Sequence, residues 1–586
     1  MSQPGPELTH HAMLVLWGQY ARRTGLIDAL EAIPLRQKTR RRRPQTKVIE
    51  FLVASLAGVP HLKDISRAAH PLDRDQAVAR AWEQPGWADY SGVSRTLSGM
   101  SMAEAGQIVR ALDEVSRPFI AQEINLALMQ SASLTWDFDL TGRPVSNSST
   151  TYPDVAYGYM SDGVHLGYQA AMVSMHSPTY GRLWLSTTRH PGDTVSCSQA
   201  EALALAAEAR TGMRPRRRTK LLAQRLAQAE ENVRVAQERW QRTQQATQQA
   251  QAQLAETAQQ VAHWQARLAS LTEEYRARKR PERPYSKLAR ARKRLDVQQQ
   301  RYTRRGQTAQ QAQRRLERRF ARLQEAQQLV HRLAQRLQQF EQENATHPRP
   351  VNIVVRLDAG FGTADNLTLL IEMGYEVYTK PYSHQVTSAL KKEADHVTWV
   401  RVGDNAEMAA WTDRSVVTCP YPLDVALERF YTGARLKYST LLHYGQEPVT
   451  TDLPGWFQDY NARQTIEAGI KEGKRVFKMS HFKVRSQAGL LLQEHFAVFA
   501  ANFVRWAAHW LSTQATPLPA DTLSSVKAMV QVAAHTSAWV FWQPEGCLLS
   551  FTDHSLFAGL SFQAQQGSFQ LPLPLFKTIP SPIKAS

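Results

Sequence analysis

The chain has 586 residues and a net charge of +19, and 43% of its residues are apolar, enough for two to four domains. Its three cysteines lie far apart, which argues against a disulfide framework and against a cysteine-based zinc site. No apolar run is long enough to span a bilayer, and no secretory leader opens the sequence. We therefore expect a cytoplasmic, bacterial-type protein, associated with the nucleoid and without a membrane partner.

The positive charge is concentrated in one segment. Between Arg210 and Ala345 there are 31 Lys and Arg residues but only 12 Asp and Glu residues, a net charge of +19. The rest of the chain holds 40 basic and 40 acidic residues and is neutral. A charge of this size favours a polyanionic partner, in practice nucleic acid.

Residues 1–130 are predicted to form a helical, DNA-binding domain. They contain a basic run from Arg36 to Lys47 and an apolar helix, VIEFLVASLAGV. The segment VSRTLSGMSMAEAGQIV predicts a short helix, a Gly turn and a second helix, which is compatible with helix-turn-helix DNA binding. An ordinary helical domain with a solvated charge run fits the same residues equally well.

Period-two and β-branched residues predict strands from near Ser133 onward. Three strands are predicted at SLTWDFDLTG, VHLGYQAAMVSMH and GRLWLSTTRH. A helix with a serine cap is predicted at SCSQAEALALAAEAR, and a fourth strand at PVNIVVRLDAGFG. A helix, ADNLTLLIEMG, and a strand, YEVYTK, come next. Strands before and after a helix predict a mixed α/β sheet, whose two parts are residues 131–210 and 347–378.

Residues 211–346 predict a long antiparallel coiled-coil hairpin, because apolar residues step by seven on both sides of the Pro-containing turn KRPERPYS. In the second half the predicted seam residues are Leu288, Leu295, Tyr302, Ala309, Leu316, Leu323, Val330 and Leu337. Since the seam is mostly apolar, the arginines are expected to face outward and to bind DNA backbone. A dimerisation device and a solvated spacer are the alternatives.

The remaining segments follow the second part of the sheet. Residues 379–454 predict a β-rich insertion, in which Trp399 and Trp411 are candidates for stacking on a flipped base or, alternatively, for core packing. Residues 455–515 predict a charged helix that begins near Asp459, and then a buried amphipathic helix, HFAVFAANFVRWAAHWL. Residues 516–586 form a C-terminal region without a functional prediction.

Two aspartates on predicted strands are candidate metal ligands. Asp139 shares one strand face with Asp137, and two acids on an otherwise apolar strand are costly unless something neutralises them, as a metal would. A solvated face of an edge strand is the alternative, and Asp137 is the alternative residue. Asp358 ends an apolar strand before a Gly turn, where α/β sheets place ligand-binding groups, although a simple capping role also fits.

A stripe of polar side chains marks the predicted helix YNARQTIEAGIKEGKRVF. Tyr460, Arg463, Glu467, Lys471 and Lys474 are spaced by 3, 4, 4 and 3 residues, which predicts that all five lie on one side of the helix. A carboxylate flanked by basic residues could bind a metal while its neighbours hold phosphate oxygens. A surface helix with a Glu467–Lys471 ion pair is the alternative.

The spacing Tyr460-x2-Arg463-x3-Glu467-x6-Lys474 resembles the YREK motif of the DDE transposases in the insertion-sequence-four superfamily. DLTG at Asp139 resembles the first-aspartate strand of that family, TTRHPGDTVS its segment after the third strand, and RLDAGFG at Asp358 its second-aspartate motif. The resemblance spans residues 133–510 except the coiled coil, which departs from the short linker usual in the family.

The resemblance implies an RNase H-like catalytic core in which Asp139, Asp358 and Glu467 hold two Mg²⁺ (or Mn²⁺) ions. The residues expected to contact DNA are Tyr460, Arg463 and Lys474, with Lys471 from the same stripe. The implied function is metal-dependent cleavage at transposon ends and strand transfer into target DNA by a protein that is a dimer in its DNA complex. A catalytically inactive DNA-binding derivative and an RNase H-like nuclease without strand transfer are the alternatives.

Overall fold

The computed structural model describes residues 5–36, 41–146, 151–160, 163–416, 418–514, 525–544, 546–552 and 561–565. Part of the predicted basic run and most of the predicted C-terminal region lie outside these residues. The protein is mixed α/β and has two compact units, one formed by Met1–Arg216 with Arg349–Ser586 and the other by Arg217–Pro348. Among the residues described, no helix is both long and apolar enough to cross a membrane.

The helices and strands are given in chain order. The helices are α1 Ala12–Arg23, α2 Leu26–Glu31, α3 Pro44–Leu56, α4 Asp64–Arg67, α5 Gln76–Ala81, α6 Tyr90–Ser98, α7 Met102–Ser131, α8 Ala200–Thr211, α9 Thr219–Ala277, α10 Lys287–Thr346, α11 Ala364–Glu372, α12 His384–Glu393, α13 Leu453–Asn461, α14 Gln464–Arg475, α15 Gln487–Gln514 and α16 Val526–Gln531. The strands are β1 Glu7–Thr9, β2 Ser133–Pro144, β3 Ala156–Met160, β4 Gly163–Ser177, β5 Gly181–Pro191, β6 Asn352–Arg356, β7 Glu376–Thr379, β8 Val400–Arg401, β9 Ala406–Arg414, β10 Leu423–Thr432, β11 Arg435–Tyr444, β12 Ala538–Gln543, β13 Gly546–Phe551 and β14 Ser561–Gln565.

The N-terminal region is helical, as predicted. The apolar helix is α3, which is buried along most of its length and includes Lys47, the last residue of the predicted basic run. The helix, Gly turn and helix are α6, Gly99 and α7. A capping box begins α7: the Ser101 side chain accepts from the Glu104 backbone N–H, while the Glu104 carboxylate accepts from the Ser101 backbone N–H.

The central sheet is mixed. Its strands run in the order β3-β4-β2-β6-β7-β11-β10-β9-β8, and β5 pairs with β4. The predicted strands are confirmed as β2, β4, β5, β6 and β7. Strand β2 is antiparallel to β4 and parallel to β6, which is parallel to β7. The predicted serine cap on the following helix is wrong, because α8 begins at Ala200 after a 3-10 turn and Gln199 is its N-cap.

Besides its strands, the described part of the insertion after β7 contains an α-helix and two short 3-10 turns. Strand β11 pairs antiparallel with β7, so β8 to β11 extend the central sheet rather than forming a separate one. The helix is α12, which a prediction based on strand-like pieces did not include. A Trp456-centred cluster of buried side chains from this region and α13 packs beside the sheet.

The predicted charged helix is two helices. Helix α13 ends at Asn461 and α14 begins at Gln464, and the backbone between them makes tight i to i−3 hydrogen bonds, from Arg463 N–H to Tyr460 O and from Ile466 N–H to Arg463 O. The prediction of one continuous helix is therefore wrong at this point. The next helix, α15, contains the predicted buried segment and packs on α3, α7 and β5.

The smaller unit is a helical hairpin of α9 and α10, as predicted. The helices are antiparallel, because Arg217 pairs with Glu343 near the base while Leu271 packs with Leu288 near the turn. Residues buried on α10 are Leu288, Ala291, Leu295, Ala309, Leu323, Leu333 and Phe340. Polar side chains also enter the seam, as Thr247 and Thr257 are buried on α9.

Candidate functional site

Asp139 and Asp358, two of the predicted acids, lie on neighbouring segments at the carboxyl end of the parallel pairing between the central strands β2 and β6. In the parallel pair β2–β6, Asp137 lies opposite Arg356. Asp139 and Asp358 each come two residues later in their own segments, so they occur at the same edge of two neighbouring chain segments. This is the edge where parallel strands of α/β sheets place ligand-binding groups.

Arg463 joins the third acid to this edge. Its guanidinium donates from Nη2 to Asp139 Oδ2 at 3.1 Å and from Nη1 to Glu467 Oε1 at 3.0 Å. Arg463 is 6% exposed. The helix break between α13 and α14 places this side chain inside the protein, where a continuous surface helix would have kept it at the border.

The alternative reading of Glu467 as half of a surface ion pair with Lys471 does not describe the structure. Glu467 pairs with Arg463, and its side chain is 48% exposed. Lys471 is exposed and forms no ion pair with any residue in the described ranges. The stripe therefore has two environments, because Tyr460 and Arg463 are buried while Glu467 and Lys471 face outward.

Asp137, the alternative to Asp139, already has a partner for its charge. Its two carboxylate oxygens accept from Arg356 Nε at 2.7 Å and Nη2 at 2.9 Å. Arg356 also donates from Nη1 to the Asp459 carbonyl at 2.8 Å. A buried bidentate pair of this kind is a structural contact, which leaves Asp139 as the acid of β2 that faces the other site residues.

The electrostatics show how closely the acids are coupled. Burial raises the pKa of Asp139 to about 7; Arg463 opposes the shift, while Asp358 and Glu467 add to it. Burial also raises the pKa of Asp358, against the effects of Arg463 and of the backbone N–H groups of Gly360 and Phe361. Three acids therefore repel one another around a single guanidinium.

The donor set fits a divalent cation. Carboxylate oxygens are the ligands that Mg²⁺ prefers, and Asp358 Oδ1 is a buried oxygen without a hydrogen-bond partner in the described part of the chain. Within those same ranges, no three His, Cys, Asp or Glu side chains are close enough to hold one ion. Arg463 is hydrogen-bonded to the carboxylates of Asp139 and Glu467. These two carboxylates could bind a cation only after those hydrogen bonds break.

Two amines complete the site. Lys474 donates from Nζ to the Gly142 carbonyl at 2.9 Å, at the end of β2 beyond Asp139. Burial lowers the pKa of Lys474, an effect that Arg143 strengthens and Asp139 opposes. The second amine, Lys380, was not predicted: its Nζ lies 5.3 Å from the centroid of the Tyr460 ring.

Lys380 could have been found in the sequence, because it is the last residue of the predicted strand YEVYTK. Burial lowers its pKa, whereas Glu428 raises it. The Tyr460 hydroxyl, for its part, donates to the Leu357 carbonyl at 3.2 Å, one residue before Asp358. Tyr460 thus ties α13 to the chain segment that carries the second acid.

The two candidate aromatics of the insertion lie elsewhere on the sheet. Trp399 is half-buried, with the Arg429 guanidinium 4.0 Å from its ring centroid. Trp411 is half-buried in β9, where it is opposite Val425 of β10. The side-chain contact of Trp399 is thus with a residue of the insertion itself.

The chain matches no protein-family model, and it matches no curated protein. What the site can do therefore follows from its own residues. Asp139 and Glu467 share the Arg463 guanidinium, Asp358 lies on the neighbouring chain segment, and two amines lie nearby; once Arg463 releases the carboxylates, this set of groups suits a divalent cation together with a phosphate.

The raised pKa of Asp139 gives a prediction about stability. Between the ordinary carboxyl pKa of the unfolded chain and about 7, the folded state holds a proton that the unfolded state has lost, so stability falls as pH rises through this window. Without divalent cations, Asp139→Asn should therefore stabilise the protein at about pH 8, by up to about 4 kcal/mol, and by much less at about pH 5. Thermal unfolding in chelator at both pH values measures this, with exposed Asp365→Asn as the control. Parallel curves for wild type and Asp139→Asn would contradict it.

Proposed function

We propose that the protein is a DDE transposase of the superfamily that its sequence resembles, which cleaves DNA at transposon ends and joins the freed 3′ ends to target DNA. The observation that best supports this is the contact of Arg463 with both Asp139 and Glu467. More than 300 residues separate Asp139 from the other two in sequence. Residues proposed from separate sequence motifs thus form one cluster.

The proposal includes an RNase H-like core formed by β2 and β4 to β7 with their helices. In this core Asp139, Asp358 and Glu467 would hold two Mg²⁺ or Mn²⁺ ions. When bound, such ions activate the attacking oxygen and stabilise the leaving oxygen in an in-line displacement at phosphorus. The orphaned Oδ1 of Asp358 supports this assignment, since a buried oxygen without a partner is costly unless a ligand satisfies it.

The basic residues would bind the DNA phosphates. Arg463 would exchange a carboxylate partner for a phosphate oxygen, which it can contact through the same forked donors. Lys474 and Lys380 are half-buried amines beside the acids, so each can compensate phosphate charge where water is scarce. Lys471 is exposed beside Glu467 and would contact DNA further from the scissile bond.

A cleavage assay tests the proposal and separates it from its alternatives. The substrate is a duplex that carries the inverted repeats expected beside the coding region, incubated with a target plasmid and Mg²⁺, or with chelator. We expect Mg²⁺-dependent cleavage and joined products, with joining lost when the cleaved end carries a 3′-deoxy terminus. Cleavage without joining would make the protein a nuclease, and end binding without cleavage would make it an inactive derivative; either result overturns the proposal.

A further inference from the structure

The charge of the helical hairpin lies almost entirely on one of its two helices. Helix α9 has 7 Lys and Arg against 6 Asp and Glu, whereas α10 has 15 against 5. Helices of nearly equal length and the same seam thus differ by about nine charges. A solvated spacer does not require this asymmetry, because the charge composition of α9 would be sufficient to keep both helices solvated.

The cations of α10 form a regular row. Lys287, Arg294, Arg301, Arg315 and Arg322 each occupy the heptad position directly before a seam residue, and Thr308 is the single interruption in the series. Residues at one heptad position stay on one flank of a coiled coil, so these five side chains, here called the basic ladder, project from the same side. Each seven-residue step is about 10.5 Å, and the ladder extends about 50 Å.

The basic ladder is available to a partner. All five side chains belong to exposed residues. Within the ranges that the structure describes, none of the five forms an ion pair; Arg294 lies over the Trp264 ring, 5.1 Å from its centroid. By contrast, Arg234 on α9 pairs with both Glu231 and Glu238. The five ladder cations thus have no acidic partner in the described ranges, whereas Arg234, Arg242 and Arg276 of α9 each pair with a glutamate.

We propose that the basic ladder binds the phosphate backbone of duplex DNA without reading its sequence. Duplex DNA presents a negative charge about every 1.7 Å along its axis, which matches a long, straight row of cations better than it matches any compact anion. An apolar stripe for a membrane surface is missing, because the ladder's outer neighbours are mostly Arg and Gln. That the ladder binds a long polyanion follows from its charge and spacing; that this polyanion is DNA rests on the proposed function.

The test compares two full-length variants with equal loss of charge. In the ladder variant, Lys287, Arg294, Arg301, Arg315 and Arg322 are replaced by Gln; in the control, the α9 residues Arg234, Arg239, Arg242, Arg267 and Arg276 are replaced by Gln. Gln preserves helix propensity, and circular dichroism checks that both hairpins remain helical. The probe is a fluorescent duplex of random sequence, titrated between about 50 and 200 mM salt.

The ladder variant should lose at least about tenfold in affinity, and its slope of log K against log salt should fall by about 4, since each phosphate contact contributes about 0.9. The control variant should keep most of the affinity and most of the salt slope of the wild-type protein. Equal losses in the two variants would mean that only total charge matters, and unchanged binding in both would mean that the ladder serves another partner, such as an acidic protein; each result overturns the proposal. Wild-type protein that binds this duplex through the ladder but never cleaves transposon ends would refute the proposed function alone.

Discussion

Replacement of Asp139, Asp358 or Glu467 by Ala is expected to abolish metal-dependent DNA cleavage, while binding to DNA ends persists. In the proposed two-metal site, removal of one carboxylate would unbalance metal binding, and a loss of several kcal/mol of transition-state stabilisation would lower the rate by about a thousandfold or more. Binding should persist because it depends on basic side chains that these substitutions leave in place. Single-turnover cleavage with Mg²⁺ and a parallel binding titration measure the two effects.

The matched control is Asp365→Ala, which removes an exposed acid seven residues after Asp358 and should leave cleavage intact. Full activity in any of the three site variants would refute the assignment of that residue. Asp137→Ala needs thermal unfolding beside the activity assay, because it leaves the buried Arg356 without its partner and should lower stability. A stable, inactive Asp137→Ala protein with an active Asp139→Ala protein would mean that Asp137 is the ligand.

The local patterns of the sequence were sufficient for the strands and for the acids near their ends. Alternating residues around Asp139 and the apolar run before Asp358 predict strands, and these are β2 and β6. The pairing of β2 with β6 could not be predicted in this way, because the whole hairpin separates the two strands in sequence. Pairing over such a distance depends on tertiary packing, which no local pattern contains.

The break between α13 and α14 shows why the geometry of the site was only partly predictable. Spacings of 3, 4, 4 and 3 residues fit an unbroken helix, and nothing local to Ala462 or Arg463 terminates one. The tight turn positions Arg463 beside Asp139, and the Tyr460 hydroxyl reaches the Leu357 carbonyl. Both contacts join residues more than 100 positions apart, so they lie outside any pattern of helical spacing.

The seam of α10 was predictable at its first heptad position, except at Tyr302, which is 43% exposed, but not at its second. Leu288, Leu295 and Leu323 are buried as the heptads predict. Leu333 and Phe340 are also buried; they lie at multiples of seven from the buried Ala291 and so form the second seam position of the same repeat, while Val330 and Leu337 of the first position are half-buried. A coiled-coil helix faces its partner with two positions of each heptad, and the apolar steps of seven that gave the prediction for α10 followed only one of them.

Substitution of Glu494 by Ala is expected to give the largest loss of stability of any change considered for the core. Arg143 in β2 and Glu494 in α15 form a salt bridge in which both side chains are at most 1% exposed. Arg143 also donates to the Met479 carbonyl, and its guanidinium lies 4.5 Å from the Phe482 ring centroid. Without Glu494, a buried cation loses the carboxylate that compensates it.

The expected decrease in the free energy of unfolding for Glu494→Ala is about 3–5 kcal/mol, the usual result of breaking a buried ion pair by removing one partner. Chemical denaturation followed by tryptophan fluorescence measures it. Glu114→Ala is the matched control: it breaks the exposed pair with Arg117, whose side chains are 60% and 67% exposed, and should cost less than about 1 kcal/mol.

The double variant Arg143→Met/Glu494→Leu separates the cost of the uncompensated charge from the cost of lost packing. Since apolar residues of similar volume often replace a buried pair without loss, most of the stability should return. Because Lys474 donates to the carbonyl of Gly142, the neighbour of Arg143, the single variant should also disturb the end of β2 that carries Asp139. A loss below about 1 kcal/mol in Glu494→Ala, or an equal loss in the double variant, would show that the pair does not hold α15 on the sheet through its charge.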